Sequence, residues 1–189
     1  AIEGGTLTTN RATEAGIGPH AHNVLFEADG LRLPADMTGG TAAGGALPGA
    51  LSGLRLDMTL GLDSDLDRPV IEAGGPRLEE VVLRDASATW GALDLRGTGT
   101  LTVDARGFAE GRIDLRARNW RQMVAMADAA GYLPPGIAGA LRGGLDLIAM
   151  LAGDSESLNV PLDFENGRAR IGPVTVGDAP RLAMPLAGN

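Results

Sequence analysis

The sequence predicts a mainly β chain of the α+β class. The expected form is a strongly curved antiparallel sheet of about eight to ten strands, with two consecutive helices on its concave apolar face. Three observations predict it. Short stretches of alternating apolar and polar residues recur along the chain, separated by Gly, Pro, Asn and Asp. Helical periodicity is confined to residues 119–152. Gly is abundant, at 29 residues, while aromatics make up only 3%, so Leu, Val, Ile, Met and Ala must fill the interior.

At 189 residues the chain suits one β-rich domain (residues 1–189), or the C-terminal half of a larger one. Residues 1–50 read as a loosely organised N-terminal part and residues 119–152 as a two-helix insertion. All 16 basic residues are Arg, which reads as codon bias in a GC-rich genome. A net charge of −8 argues against nucleic acid, whose phosphates require a basic face, and against electrostatic attachment to anionic lipid. Cys is absent, so thiol chemistry is excluded. No run approaches the roughly 18 apolar residues of a membrane span.

In order, Gly5–Thr9 and Val24–Ala28 read as strands, with Leu31–Pro34 extending the second and Thr38–Gly49 a loop. In Leu54–Leu62 the apolar residues Leu54, Leu56, Met58 and Leu60 alternate with Arg55, Asp57, Thr59 and Gly61, giving one buried and one wet face. Asp63–Arg68 turns, Pro69–Ala73 is at most a short strand, and Leu78–Arg84 is a strand. Trp90–Arg96, Thr100–Ala105 and Gly111–Ala117 then read as a three-strand meander, with Gly97-Thr-Gly99 as its first hairpin. The charges on its outer face alternate in sign, as cross-strand pairs do. An arginine patch for phosphate or carboxylate is the functional alternative there.

Asn119 is a candidate N-cap with Gln122 as capping-box partner. Trp120, Met123, Val124 and Ala127 form one stripe of the helix Asn119–Ala130, which Gly131 ends. Ile137, Leu141, Leu145, Ile148 and Leu151 form the stripe of the helix Ile137–Leu151. Trp120 is expected to be buried where the helix leaves the meander, with its N–H reaching a carbonyl or the surface. The final hairpin is Leu158–Phe164 with Arg168–Gly172 about Asn166-Gly167; Pro161 marks its first arm as partly an edge. Val174–Val176 and Leu182–Leu186 are last pairings.

Catalytic signatures are missing. His20 and His22 lack further His or Cys ligands for zinc. Asp63-Ser-Asp-Leu-Asp67 starts like a calcium loop, but Arg68 stands where that loop needs Gly and Gly74 where it needs Glu. No nucleophile elbow, Walker or dinucleotide fingerprint occurs. The reading is therefore non-enzymatic, with no catalytic residue, cofactor or metal.

Leu54-Arg-Leu-Asp57, Trp90-Gly-Ala-Leu-Asp-Leu95, Gly99-Thr-Leu-Thr-Val-Asp104, Gly111-Arg-Ile-Asp-Leu115, Asn119-Trp-Arg-Gln-Met123, Leu133-Pro-Pro135, Leu158-Asn-Val-Pro-Leu162 and Gly167-Arg-Ala-Arg-Ile-Gly-Pro173 follow one another. Over residues 28–182 this order resembles the C-terminal half of a family of uncharacterised Gram-negative envelope proteins, known as a domain of unknown function and more distantly similar to AsmA/TamB-type proteins. The resemblance implies a periplasmic location, with attachment to the inner membrane through an N-terminal anchor not contained in this chain. It also implies a preceding β-rich region, and a lipid or an envelope protein as partner. The candidate apolar groove comprises Trp120, Met123, Val124, Ile137, Leu141, Leu145 and Ile148. The leading expectation is a lipid-handling or hydrophobic-groove protein; the alternative is a structural module that pairs through an exposed sheet edge.

Overall fold

The computed structural model describes residues 4–12, 17–31, 51–65, 67–72, 75–129, 131, 133, 136–154 and 156–182. Nine strands form one open antiparallel sheet in strict sequence order, so each strand pairs with its neighbours along the chain. They are β1 (Gly4–Arg11), β2 (His22–Asp29), β3 (Gly53–Leu62), β4 (Leu78–Trp90), β5 (Leu93–Val103), β6 (Ala109–Arg118), β7 (Ser157–Glu165), β8 (Arg168–Ile171) and β9 (Val174–Asp178). The described helices are α1 (Arg68–Glu72), α2 (Trp120–Ala129) and α3 (Ile137–Ala152). Among the described residues β1 and β9 are the edge strands.

Registers give the sheet two faces of different chemistry. Val24, Phe26 and Ala28 stand opposite Met58, Leu56 and Leu54. Ala117, Leu115 and Ile113 stand opposite Leu158, Val160 and Leu162, and the apolar stripe runs through every pair between. Arg, Asp, Thr and Asn occupy the alternate positions.

The helix pair leaves at Arg118 and returns at Ser157, residues that pair with each other across β6 and β7. It packs on the apolar face, against β5, β7 and β9. Ion pairs Arg121–Asp146 and Arg142–Asp128 join α2 to α3, each worth at most about 1 kcal/mol at such exposure. A second apolar cluster forms where the tail crosses the β5–β6 turn. Leu101, Ala109, Phe164, Ala169 and Ala179 are buried there, and Pro180 and Leu182 bond to Ala109 and Gly107.

Several local expectations are corrected. β4 does not stop at Arg84 but continues to Trp90, and its turn into β5 is Gly91-Ala92. Gly97-Thr98-Gly99 is no hairpin; it lies inside the continuous strand β5, paired with Leu115–Ile113. The β5–β6 turn lies at Asp104–Phe108, where Asp104 Oδ1 accepts the N–H groups of Arg106 and Phe108 at 2.8 Å each. The region expected as a strand at Pro69–Ala73 is helical over Arg68–Glu72, because Asp67 Oδ1 caps the Val70 N–H at 3.0 Å.

Asn119 takes φ 56°, and its side chain donates to the Ala92 carbonyl. Its own carbonyl accepts the Gln122 N–H at 3.0 Å, so the backbone, not a capping box, starts α2. The Asn166-Gly167 turn is as expected: both residues have positive φ, 55° and 76°, as a type I′ turn requires. Leu31 forms an isolated bridge with Leu51. The rest of Leu31–Pro34, the loop Thr38–Gly49, and Leu182–Leu186 beyond its first residue lie outside the described residues.

Candidate functional site

The residues expected to line a groove are mostly packed core. Trp120 is 2% exposed, and Val124, Leu141 and Leu145 are buried with Ala117, Ala149, Leu158 and Val160. Met123 and Ile137 pack on the margin of this cluster. Ile148 departs from them and is 40% exposed. The reason is angular: α3 buries Ala138, Leu141, Leu145 and Ala149, a stripe on which Ile148 is only a flank. Leu151, expected on the same stripe, is 80% exposed. The Trp120 Nε1–H, expected to find a carbonyl or the surface, is buried with no hydrogen-bond partner among the described residues. The Arg121 guanidinium stacks 4.6 Å from the ring centre.

The apolar face continues beyond the helices. Val24, Phe26, Leu56, Met58 and Leu83 share that face on β2–β4, are half-buried, and belong to neither cluster of described residues. On β1, opposite Phe26, Leu7 is 66% exposed. Sequence reasoning placed the candidate groove on the helices because their stripes were the most regular. The same alternation in Leu54–Leu62 was the available signal for this second surface.

The opposite face over β2–β4 is held by ion pairs. A register shift lies between Asp57/Met58 on the β3 side and between Leu83/Ala86 on the β5 side. The extra residue puts both Arg84 and Asp85 on the polar side of a β-bulge. Arg84 crosses Thr59, donating to Asp57, to Thr59 Oγ1 and, at 3.1 Å, to Asn23 Oδ1. Thr59 is fully buried and donates to Asn23 Oδ1 at 2.6 Å. Arg55 is matched to Glu27 and to Asp85.

Farther along this face the matching changes. Arg96 stands directly opposite Arg116 across β5 and β6, and Arg118 opposite Asp94. These side chains line a cleft of about 420 Å³ together with Ile148, Asp154, Ser157, Leu158 and Asn159.

At the β1–β2 corner His20 Nδ1 lies 3.0 Å and Arg11 Nη2 2.7 Å from Asp65 Oδ1. The His20 hydrogen bond, followed by the charge of Arg11, holds the Asp65 carboxyl below its ordinary range. Asp63 is lowered by the Arg77 N–H and the Ser64 hydroxyl, Asp104 by the Phe108 N–H, and Asp154 by the N–H groups of Ser157 and Glu156. A general acid working near neutrality needs the opposite shift. In the Asp63–Asp67 stretch, Asp63 and Asp67 are engaged with backbone N–H groups and Asp65 with Arg11 and His20. Among the described residues no group of three His, Asp or Glu converges as a metal site, and no described helix is long and apolar enough to cross a membrane.

Residues 1–180 match the family described as "uncharacterized protein conserved in bacteria (DUF2125)". No curated protein and no solved structure matches the chain.

Proposed function

The chain belongs to that bacterial family, and we propose that this member is a non-enzymatic, lipid-handling protein of the Gram-negative cell envelope, of AsmA-like type and facing the periplasm. A hydrocarbon chain lies along the apolar face of β2–β4. The observation that carries this reading is the half-buried set Val24, Phe26, Leu56, Met58 and Leu83, which continues the core face past the helices. An open antiparallel sheet normally turns polar residues to water; here the face keeps Leu, Met and Phe. Each methylene taken from water onto such a face is worth about 0.8 kcal/mol, so about ten methylenes of an acyl chain are needed to match the roughly 8 kcal/mol of a micromolar complex. Displacement of a fluorescent fatty acid by phospholipid tests the reading. Leu56→Glu is expected to abolish binding with a smaller loss of melting temperature than a core substitution, because Leu56 is half-buried and belongs to neither core cluster. Unchanged binding by that variant, or no binding by the wild type, defeats it.

A second reading is favoured by β1, whose eight residues are all exposed. Its outer edge pairs with no described strand, and such an edge can take up another strand. Pro161 marks another such stretch: β8 pairs only with Asp163–Glu165 of β7. Under this reading a peptide adds to the sheet, and a Thr9→Pro substitution on β1, at a position whose N–H faces away from β2, blocks it while leaving fatty-acid displacement intact.

A further inference from the structure

We propose that the last turns of α3 and the adjoining arginine cleft form a docking surface for a membrane bearing anionic phospholipid. Two independent features meet there. The first is apolar. α3 exposes Leu147 (57%), Ile148 (40%), Met150 (75%) and Leu151 (80%) within five positions. The outward positions of its earlier turns are Gly139, Ala140, Arg142, Gly143 and Gly144, so large apolar side chains are confined to one end. Single exposed leucines are ordinary, but a contiguous group marks a contact surface.

The second feature is charge. On the polar face Arg55, Arg84 and Arg112 are each matched to a carboxylate, of Glu27, Asp57 and Asp163. In the cleft the pattern fails: Arg96 faces Arg116 in register, an arrangement that is unfavourable in a sheet. Arg116 has only the neutral Asn159 amide oxygen, at 3.1 Å. Arg118 makes no hydrogen bond or ion pair with any described residue. Asp154 is committed to the N–H groups of Glu156 and Ser157 at 2.9 and 3.0 Å. Asp94, 3.3 Å from Arg96, and Asp154, whose carboxyl also feels the charge of Arg118, are two carboxylates against three guanidinium groups. A phosphodiester supplies the missing negative charge and accepts from planar guanidinium groups in pairs.

Ile148 joins the two features, being both an exposed apolar residue of α3 and part of the cleft wall. Lipid phosphate against the arginines therefore leaves the end of α3 at the depth of the headgroup–acyl boundary, the usual position of interfacial apolar side chains. The net charge of −8 repels an anionic membrane from the remaining surface, which fixes the orientation. This inference takes its ligand class from the lipid-handling reading but uses different residues.

The test is flotation with vesicles of phosphatidylethanolamine and phosphatidylglycerol, alongside fatty-acid displacement in solution. Wild-type protein is expected to float, less so in high salt. Met150→Ser/Leu151→Ser should weaken vesicle binding about tenfold or more, the effect of two apolar side chains. Arg96→Gln and Arg116→Gln should each weaken it roughly fivefold. All these positions are exposed, so the fold stands, and fatty-acid displacement should be unchanged. Leu56→Glu should still float; failure of the wild type to bind fatty acid, with its flotation intact, removes the lipid-handling reading and leaves the docking surface. Three outcomes overturn the proposal: no flotation by the wild type; binding of inorganic phosphate that these arginine variants abolish while flotation is unaffected; or a wild-type dimer that Met150→Ser/Leu151→Ser converts to monomer without any vesicle binding, which assigns the patch to a second copy of the chain.

Discussion

Gly99→Ala tests the central part of the sheet most directly. Gly99 sits inside β5 opposite Ile113 of β6. A Cβ there would collide with the Arg112 carbonyl oxygen and stand 2.8 Å from Ile113 Cα and 3.0 Å from the Arg112 carbonyl carbon. All three are backbone atoms, so no rotamer change relieves the contact and the two strands must separate. Gly99 does not occupy the left-handed region, so the cost is steric alone. Overpacking of this kind costs about 1–3 kcal/mol. Losing two ladder hydrogen bonds adds about 0.5–1.5 kcal/mol each, giving a destabilisation of ~3 kcal/mol or more. At about 2–4 °C per kcal/mol for a chain of this size, thermal melting followed by circular dichroism should fall by roughly 6–12 °C. Gly97→Ala is the control. The close contacts of its added Cβ are Ile113 Cγ2 at 3.2 Å and Leu115 Cδ2 at 3.3 Å, side-chain atoms that can yield, and the nearest backbone atom, the Asp114 carbonyl oxygen, is at an ordinary 4.0 Å, so its cost should stay within about 1 kcal/mol. Were Gly97-Thr98-Gly99 a turn after all, both variants would behave alike. A Gly99→Ala melting curve superimposed on the wild type refutes the continuous strand.

Trp120→Ala should cost about 3–5 kcal/mol, as emptying a packed aromatic site does; urea melts check it, and wild-type stability with loss of bound lipid would instead make Trp120 part of a binding site. Trp120→Phe should cost less than half as much, since it also removes a buried, unpaired N–H. Arg84→Ala strips Thr59, Asn23 and Asp57 of a shared donor and should destabilise by about 1–3 kcal/mol, with Arg84→Lys recovering little because one ammonium cannot span all three; full recovery by Lys refutes the bridging role. Asp63, Asp65, Asp104 and Asp154 have folded pKa values lowered from the ordinary carboxylate value, so the unfolded chain takes up protons first. Their contribution is complete above an unfolded pKa of about 3.9 and is lost as pH falls through the lower folded values. Urea midpoints should therefore be flat from neutrality to about pH 5 and then decline; a rise on acidification contradicts the sign.

The meander was legible because each of its steps is local. Alternation marked β3 and β7, Asn166-Gly167 marked the last hairpin, and the stripes of Trp120 and Leu141 marked the helix pair. The central error, at Gly97-Thr98-Gly99, has one cause: glycine inside a strand reads as punctuation. Gly97 and Gly99 are glycines because β6 lies too close for a side chain, a relation between residues far apart in sequence that composition does not reveal. The end of β4 carried a readable signal. Apolar residues fall at Val81, Leu83, Ala86, Ala88 and Trp90, so the period of two slips by one after Leu83. Such a slip inside a strand is what a bulge produces, and it places Arg84 over Thr59. Ile148 and Leu151 were misplaced for a different reason. A regular stripe defines an apolar side of the helix, but contact with the sheet reaches only the middle of it, at Ala138, Leu141, Leu145 and Ala149.

The dimensions of the sheet explain why the two described helices α2 and α3 leave part of its apolar face beyond their reach. Nine strands about 4.8 Å apart span roughly 38 Å. Two helices, each about 10 Å across, cover about half of that width. Helices α2 and α3 lie over the C-terminal strands because they are inserted between β6 and β7, so β2–β4 are beyond their reach. A chain selected only to fold would answer with polar residues at the unreached positions, as its other face does with Arg55, Asp57 and Arg84. This sequence instead continues Val24, Phe26, Leu56, Met58 and Leu83 in register. Charging that face therefore tests function more sharply than it tests folding: Leu56→Glu should lower the melting temperature less than a core substitution and remove hydrocarbon binding, whereas Leu145→Ala, under the helices, should cost about 2–5 kcal/mol and leave binding by the folded fraction intact. The reverse pattern would mean that the face of β2–β4 is buried in the working protein and that the hydrocarbon site lies elsewhere.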